Sequence, residues 1–221
     1  MLIHNTFLVL VNGGGLFYAL PYGKWGLMSL KCERFTFDMA DYGEAVITYV
    51  CYIYYVSKFV DFLDTIYFVL RKKYSHITGL HLFHHSMMPF WCYVFFKFGP
   101  YTNIGFIPLV NAGIHFIMYS YYALASLGPS VQKYLWWKKY ITQLQLLQFV
   151  AASIHSGYFL FDKSCDCPKF LIFMQFAHSV LFFFLFLNFY IKSYDGKSHV
   201  KIDEDAVKPY TKEHTKHTKC L

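Results

Sequence analysis

Three histidines interrupt an otherwise apolar stretch, "GLHLFHHSMMPF" at residues 79–90. His81, His84 and His85 have the spacing H-x-x-H-H, which on a helix places the second and third rings beside the first on one face. A single histidine in an apolar helix usually hydrogen-bonds to a neighbouring helix. Three histidines on one face instead indicate metal ligation, or acid–base and nucleophilic chemistry.

A second polar cluster, "SKFVDFLDTIYF", lies upstream of the histidines. Lys58, Asp61 and Asp64 are spaced i, i+3, i+6, so that successive members are neighbours on one helix face. Ionisable groups inside apolar helices are costly, and their presence needs a reason. Two interpretations stay open: an ion pair that locks helices together, and one polar wall of an active site.

Two downstream clusters complete the polar set. The stretch "HFIMYSYY" supplies His115, Met118, Tyr119, Tyr121 and Tyr122, and "TQLQLLQF" supplies Thr142, Gln143, Gln145 and Gln148. Tyrosines often anchor helices at membrane interfaces, so the third cluster gains its interest from His115, which can face the H-x-x-H-H box. Glutamines at membrane depth need partners and suit a substrate amide or carbonyl.

The elements that must position these clusters are apolar helices. The 221 residues are 56% hydrophobic and 22% aromatic but only 15% charged, which is typical of a polytopic membrane protein rather than a soluble domain. Runs such as "SVLFFFLFLNFYI" lack the alternation that a membrane β-barrel needs, so the fold is predicted to be all-α. Six segments approach the ~20 residues that cross a bilayer as a helix: 2–20, 45–70, 77–97, 103–126, 136–161 and 168–192.

The polar ends and loops predict the orientation. Residues 193–221 are Lys-rich and without periodicity, which predicts a disordered tail after a membrane domain of residues 1–192. No basic region and cleavage site precede Gly13, so no signal peptide is predicted. Lys and Arg concentrate on the tail side of the six segments, which places both termini in the cytosol. The net charge of +7 therefore belongs to membrane-flanking loops, and nucleic acid is not an expected partner.

The cysteines and histidines are the candidate metal ligands of the chain. Cys165 and Cys167, in "DKSCDCPK", and Cys32 fall in loops predicted to face the lumen, where a disulfide can form. One Cys-x-Cys without a second pair is a weak zinc signal, so a structural or free-thiol role is favoured. Membrane di-iron desaturases and hydroxylases also contain H-x-x-H-H, but they need several histidine boxes and this chain has one. A single metal on the box and His115 stays open, although adjacent His84 and His85 do not readily aim at one ion.

In their order, the four clusters resemble the motifs of the very-long-chain fatty acid elongase (ELO) family: K-x-x-E-x-x-D-T, H-x-x-H-H, H-x-x-M-Y-x-Y-Y and T-x-x-x-Q-x-x-Q. The resemblance covers residues 2–192 and is closest to arthropod members that handle saturated and monounsaturated chains. It includes Thr65 after Asp64, and the stretch "LGPSVQKYLWWKKYIT". Asp61 stands where the family usually has Glu, which keeps the charge and shortens the reach. Ser75 and His76 replace the usual Asn-Gln, and His217 replaces one lysine of the C-terminal retrieval signal.

The resemblance implies a fold and a reaction. Six helices would surround a narrow acyl tunnel, without the family's peripheral first helix, in the endoplasmic reticulum membrane with the C-terminus in the cytosol. The reaction would condense a long-chain acyl-CoA with malonyl-CoA, releasing carbon dioxide and CoA and giving a 3-oxoacyl-CoA two carbons longer, with no metal and no cofactor. Assembly with other enzymes of the elongation cycle, or as a homodimer, stays open.

The resemblance also suggests roles. His84 would carry the acyl group, His81 and His115 would orient or protonate, and His85 would hold carbonyl oxygens with two glutamines. A polar shell would consist of Lys58, Asp61, Asp64, Thr65, Met118, Tyr119, Tyr122, Thr142, Gln145 and Gln148. Polyanionic CoA would meet the basic residues predicted on the cytosolic side: Arg71, Lys72, Lys73, Lys133, Lys138 and Lys139.

Two other functions compete with this one. A metal-dependent lipid oxidase or desaturase-like enzyme would use the histidines as ligands. A truncated, non-catalytic homologue would bind acyl-CoA without turnover. A transporter is disfavoured because no pair of broken half-helices recurs in two related halves.

Overall fold

The structure, a computed structural model, describes residues 1–72, 74 and 77–194, apart from the side chain of Trp25. Within these ranges the regular elements are helices. An isolated β-bridge pairs Arg34 with Tyr101. The prediction of an all-α fold is confirmed. The α-helices are α1 (Leu2–Val9), α2 (Gly15–Ala19), α3 (Tyr42–Val60), α4 (Phe62–Leu70), α5 (Gly79–Phe98), α6 (Phe106–Ala125), α7 (Pro129–Gln132), α8 (Lys138–Phe161) and α9 (Lys169–Tyr194).

Short π-helical and 3-10 segments lie between several of these α-helices. A π-helical segment, Leu10–Gly14, joins α1 to α2 without a break, and 3-10 segments occupy Lys24–Leu30 and Thr102–Gly105. The α-carbon trace of Met1–Phe186 forms one compact unit. The unit that follows begins at Leu187, and its described residues are the end of α9. Residues 193 and 194 of the predicted tail are thus helical, and the remainder lies outside the described residues.

Five helical stretches among the described residues are long and apolar enough to cross a membrane: Leu2–Ala19, Tyr42–Leu70, Thr102–Ala125, Lys138–Phe161 and Lys169–Tyr194. They coincide with five of the six predicted spans, so the chain is a multi-pass membrane protein. The sixth, α5, has 20 residues and the necessary length. Its histidines, Ser86, Pro89 and Lys97 make it less apolar than the other five.

Local sequence signals set the ends of the helices that carry the polar clusters. The Thr78 side chain accepts a hydrogen bond from the His81 amide at 3.1 Å and caps α5. Asp61 lies at the break between α3 and α4, which interrupts the predicted span 45–70 in its middle. Pro89 lacks the N–H that the His85 carbonyl would accept, so the helix is loosened one turn after the histidines.

The segment Leu10–Gly14 packs closely against α6. A Cβ atom added to Gly13 would lie 2.4 Å from a ring carbon of Phe116, whereas a Cβ added to Gly14 would have no neighbour within 4 Å. Gly13 is therefore needed for close approach of the two helices, and its neighbour is not.

Gly13→Ala is expected to destabilise the protein by about 1–3 kcal/mol, because the Phe116 ring or the helix itself must move. Gly14→Ala is the matched control, since it adds the same methyl group one residue away in open space. Thermal unfolding of both variants in detergent measures the effect. Equal midpoints for the two variants would contradict the packing.

A disulfide joins the loop before α3 to the loop between α8 and α9. Cys32 pairs with Cys165, and Cys167 stays free. Cys167 is buried, and burial raises the pKa of its thiol to about 11, which keeps it in the unreactive thiol form at neutral pH. A disulfide is typical of an oxidising compartment, in agreement with the predicted lumenal position of these loops.

Candidate active site

The centre of the candidate site is an ion pair between Lys58, in the last turn of α3, and Asp61 at the helix break. Their Nζ and Oδ2 atoms are 3.2 Å apart, and the residues are only 2% and 3% exposed. The ammonium group also lies 4.5 Å from the centre of the Tyr54 ring, whose hydroxyl donates to Asn111 at 2.8 Å. Both charges are thus held away from solvent by specific partners.

Tyr119 of α6 connects this pair to the second carboxylate. Its hydroxyl oxygen lies 3.1 Å from Oδ1 of Asp61 and 2.9 Å from Oδ2 of Asp64, and its ring is fully buried. The second and third sequence clusters, predicted separately, therefore form one hydrogen-bonded group between α3, α4 and α6.

His4 of α1 belongs to the same group and was not among the predicted site residues. Its Nε2 lies 3.0 Å from Oδ1 of Asp64, and the residue is 6% exposed. Its ring also meets the edges of the rings of Tyr67 and Tyr119, with centroids 5.2 Å and 6.3 Å away. The available signal was a histidine inside an apolar span, which by itself needs a partner.

The histidine box on α5 faces α4 and α9. Nε2 of His81 lies 2.8 Å from the Thr65 hydroxyl, and the rings of His81 and His85 are 4.2 Å apart between centroids. The His84 ring lies 5.4 Å from that of His85 and packs against Phe182 of α9 at 5.2 Å. The three rings form one connected cluster, as the H-x-x-H-H spacing predicted.

His115 of α6 is the fourth imidazole of the site. It is 6% exposed, and within the described residues its Nδ1 has no hydrogen-bond partner. Lys58, His84 and His85 are near enough for their charges to act on this ring. The expected approach of His115 to the box is therefore present, and it leaves a buried nitrogen available to a substrate.

The fourth cluster, on α8, faces the same interior. Thr142 and Gln148 are both 5% exposed, and Oε1 of Gln148 has no hydrogen-bond partner among the described residues. Nε2 of Gln145 is 3.6 Å from the Met118 sulfur, a weak acceptor that a carbonyl oxygen can replace. Tyr122 is peripheral, with 38% of its surface exposed.

A cavity of about 270 Å³ begins one helical turn from these polar residues. Tyr54, Met88 and Ala112 line it, and they stand one turn from Lys58, from the box and from His115 respectively. Its other end is lined by Phe35, Phe37, Pro100, Tyr101 and Thr102, in the loops near the disulfide. The wall is almost entirely apolar, so the cavity suits a hydrocarbon chain.

Five of the six basic residues predicted to bind CoA lie among the described residues and are exposed, and their role in binding CoA stays a prediction. Arg71 and Lys72 follow α4, and Lys133, Lys138 and Lys139 lie between α6 and the first turn of α8. Lys73 lies outside the described residues. Within the part of the chain that the structure describes, no three His, Cys, Asp or Glu side chains are grouped to hold a metal ion. The expectation of a metal-free reaction stays a prediction.

Comparisons with known proteins agree with the sequence motifs. A sequence model of the GNS1/SUR4 family, ELO, matches residues 1–202. Very long chain fatty acid elongase 7 of Drosophila melanogaster is 39% identical over 207 residues, which cover 91% of this chain and 62% of the relative. The protein of the same name from Rattus norvegicus is 39% identical over 201 residues, covering 88% and 69%. A very long chain fatty acid elongase from Aedes aegypti is 39% identical over 196 residues, covering 87% of this chain and 54% of its own length.

Proposed function

The chain belongs to the GNS1/SUR4 family, ELO, and we propose that it catalyses the condensing step of fatty acid elongation. A long-chain acyl-CoA and malonyl-CoA would give a 3-oxoacyl-CoA, carbon dioxide and CoA. The observation that carries the proposal is the cluster of four imidazoles beside a buried polar group, one helical turn from residues that line an apolar cavity. The chain spans 62% and 54% of the two insect relatives, which are named very long chain fatty acid elongases.

The acyl chain occupies the cavity between α3, α5 and α6. Burial of its hydrocarbon away from water supplies binding energy in proportion to the apolar area covered. The thioester then extends past Met88 and Ala112, which line the cavity one helical turn from His84 and His115. Malonyl-CoA and the CoA portion of the acyl donor reach the site from the side of the exposed basic residues that follow α4 and precede α8.

His84 acts as the nucleophile in its neutral form. Its ring nitrogen bonds to the thioester carbon, the carbon–sulfur bond breaks, and CoA leaves as a thiol with the imidazole proton. Decarboxylation of malonyl-CoA then leaves an electron pair that bonds to the acyl carbon. The carbon–nitrogen bond breaks, a proton restores the imidazole, and the 3-oxoacyl-CoA is released.

The neighbouring groups orient the reactants and stabilise the enolate oxygen. His115 offers its unpartnered Nδ1, and His81 is fixed in orientation by Thr65. Gln145 and Gln148 bind the carbonyl oxygens together with His85. The polar shell around Lys58 sets the electrostatic environment of the imidazoles. The site operates in the endoplasmic reticulum membrane, with the C-terminus in the cytosol.

Radiolabelled malonyl-CoA tests the proposal directly. Protein purified in detergent is incubated with a panel of long-chain acyl-CoAs, without NADPH and with excess EDTA, and label is expected in a 3-oxoacyl product. Bound acyl-CoA without product would favour a non-catalytic homologue. Absence of product together with iron or zinc bound to the purified protein would favour the metal-dependent oxidase.

A further inference from the structure

The Tyr119 hydroxyl is in contact with two carboxyl groups but carries one hydrogen. Its oxygen is 3.1 Å from Asp61 and 2.9 Å from Asp64. An ionised carboxylate can only accept hydrogen bonds. If both aspartates were ionised, one of these two short oxygen–oxygen contacts would contain no hydrogen. The single hydroxyl hydrogen would then serve both contacts as a weaker, shared hydrogen bond, whereas one further hydrogen would give each contact its own donor.

The direction of the other contacts identifies where that hydrogen lies. Lys58 donates to Oδ2 of Asp61, which makes Asp61 the ionised partner of the ammonium group. Within the part of the chain that the structure describes, Asp64 pairs with no lysine or arginine; its partners are Tyr119 and Nε2 of His4. Asp64 is buried, and an unbalanced charge there would be costly.

We propose that Asp64 is a carboxylic acid that donates its hydrogen to Tyr119, and that His4 is the positioning residue that holds it so by donating from Nε2 to the other carboxyl oxygen. Every short contact then contains one hydrogen: His4 donates to Asp64, Asp64 to Tyr119, and Tyr119 and Lys58 to Asp61. These five residues, His4, Asp64, Tyr119, Asp61 and Lys58, form a hydrogen-bonded row. The row is neutral, with one ammonium group and one carboxylate.

This arrangement has a consequence for the reaction, which rests on the function proposed above. Asp64 is within range to influence His81 and His85, and it directly precedes Thr65, which holds His81. An uncharged Asp64 places no further negative charge beside the rings to oppose the ammonium group of Lys58, which favours their neutral, nucleophilic forms. The titratable groups facing the row are His4 and Tyr67, His81 and His85, and Lys58, Asp61, His115 and Tyr119.

Two asparagine variants test the assignment without any assay of activity. Asp64→Asn replaces a carboxylic acid by an amide that can donate to Tyr119 in the same place, so its thermal midpoint in detergent should change by about 2 °C or less. Asp61→Asn removes the carboxylate that pairs with Lys58 and should lower the midpoint by at least about 6 °C. If Asp64 and His4 instead form an ionised pair, Asp64→Asn should cost as much as Asp61→Asn, and the proposal fails.

Infrared difference spectra report whether Asp64 is protonated, which a merely structural role of His4 would not change. The spectrum of the wild-type protein minus that of Asp64→Asn should contain the C=O stretch of a carboxylic acid, and the corresponding difference for Asp61→Asn should contain carboxylate bands. His4→Gln keeps a donor and should shift the Asp64 band. His4→Leu removes the donor, should weaken that band, and should lower kcat about tenfold or more. Absence of an acid band at Asp64 would overturn the proposal, whereas an inactive wild-type protein would overturn only the proposed reaction.

Discussion

Replacing His84 with alanine is expected to abolish the covalent acyl-enzyme and to lower the rate of condensation by roughly 10³-fold or more, because no other group then forms the bond to the acyl carbon. The ring lies among His85, Phe182 and Phe186, and its loss leaves a small cavity in a wall built by α5 and α9. The protein should still fold, because the hydrogen bonds of Lys58, Asp61 and Tyr119 do not involve this ring.

Intact-protein mass spectrometry after incubation with acyl-CoA alone, without malonyl-CoA, measures the adduct. His178→Ala is the matched control, since His178 packs on the same Phe182 at 4.4 Å and its loss removes an imidazole of equal size. The control should still acquire an acyl group. An adduct on His84→Ala would show that another nucleophile carries the chain, and turnover by the wild-type protein without any adduct would remove the acyl-histidine from the pathway.

The motif spacing predicted which residues share a helix face, and these local predictions match the structure. H-x-x-H-H produces one cluster of rings on α5 because residues three and four apart are neighbours on a helix. Spacing along one helix carries no information on partners from other helices. That Tyr119 meets both aspartates, and that Thr65 meets His81, depends on how α3, α4, α5 and α6 pack.

His4 shows most clearly which contacts the sequence does not predict. Its partner Asp64 is 60 residues away, and one histidine in an apolar helix has no periodic pattern to distinguish it. The sequence likewise did not predict that Cys32 pairs with Cys165, 133 residues away, because three cysteines lie in the predicted lumenal loops and any two of them could pair. The sequence did not predict the break at Asp61, because the apolar pattern continues from α3 into α4 and hydropathy does not register a single interrupted turn.

The buried ion pair has two interpretations: a lock between helices, or a part of the active site. Removing one of its two charges is expected to have the second large effect. Lys58→Met should lower the free energy of unfolding by about 3–5 kcal/mol, since Asp61 would remain charged and buried without a counterion. Thermal unfolding in detergent measures this loss, and condensation should fall with it because the ammonium charge acts on His84, His85 and His115.

The double variant Lys58→Met with Asp61→Asn separates the two roles. Replacing both charges removes the unpaired carboxylate, and the amide oxygen can still accept from Tyr119, so most of the lost stability should return. If the pair only locks the helices, condensation should return as well. We expect instead a folded protein with little activity, since the imidazoles would still lack the neighbouring ammonium charge. Recovery of both properties would make the lock sufficient and leave the histidines to act without Lys58.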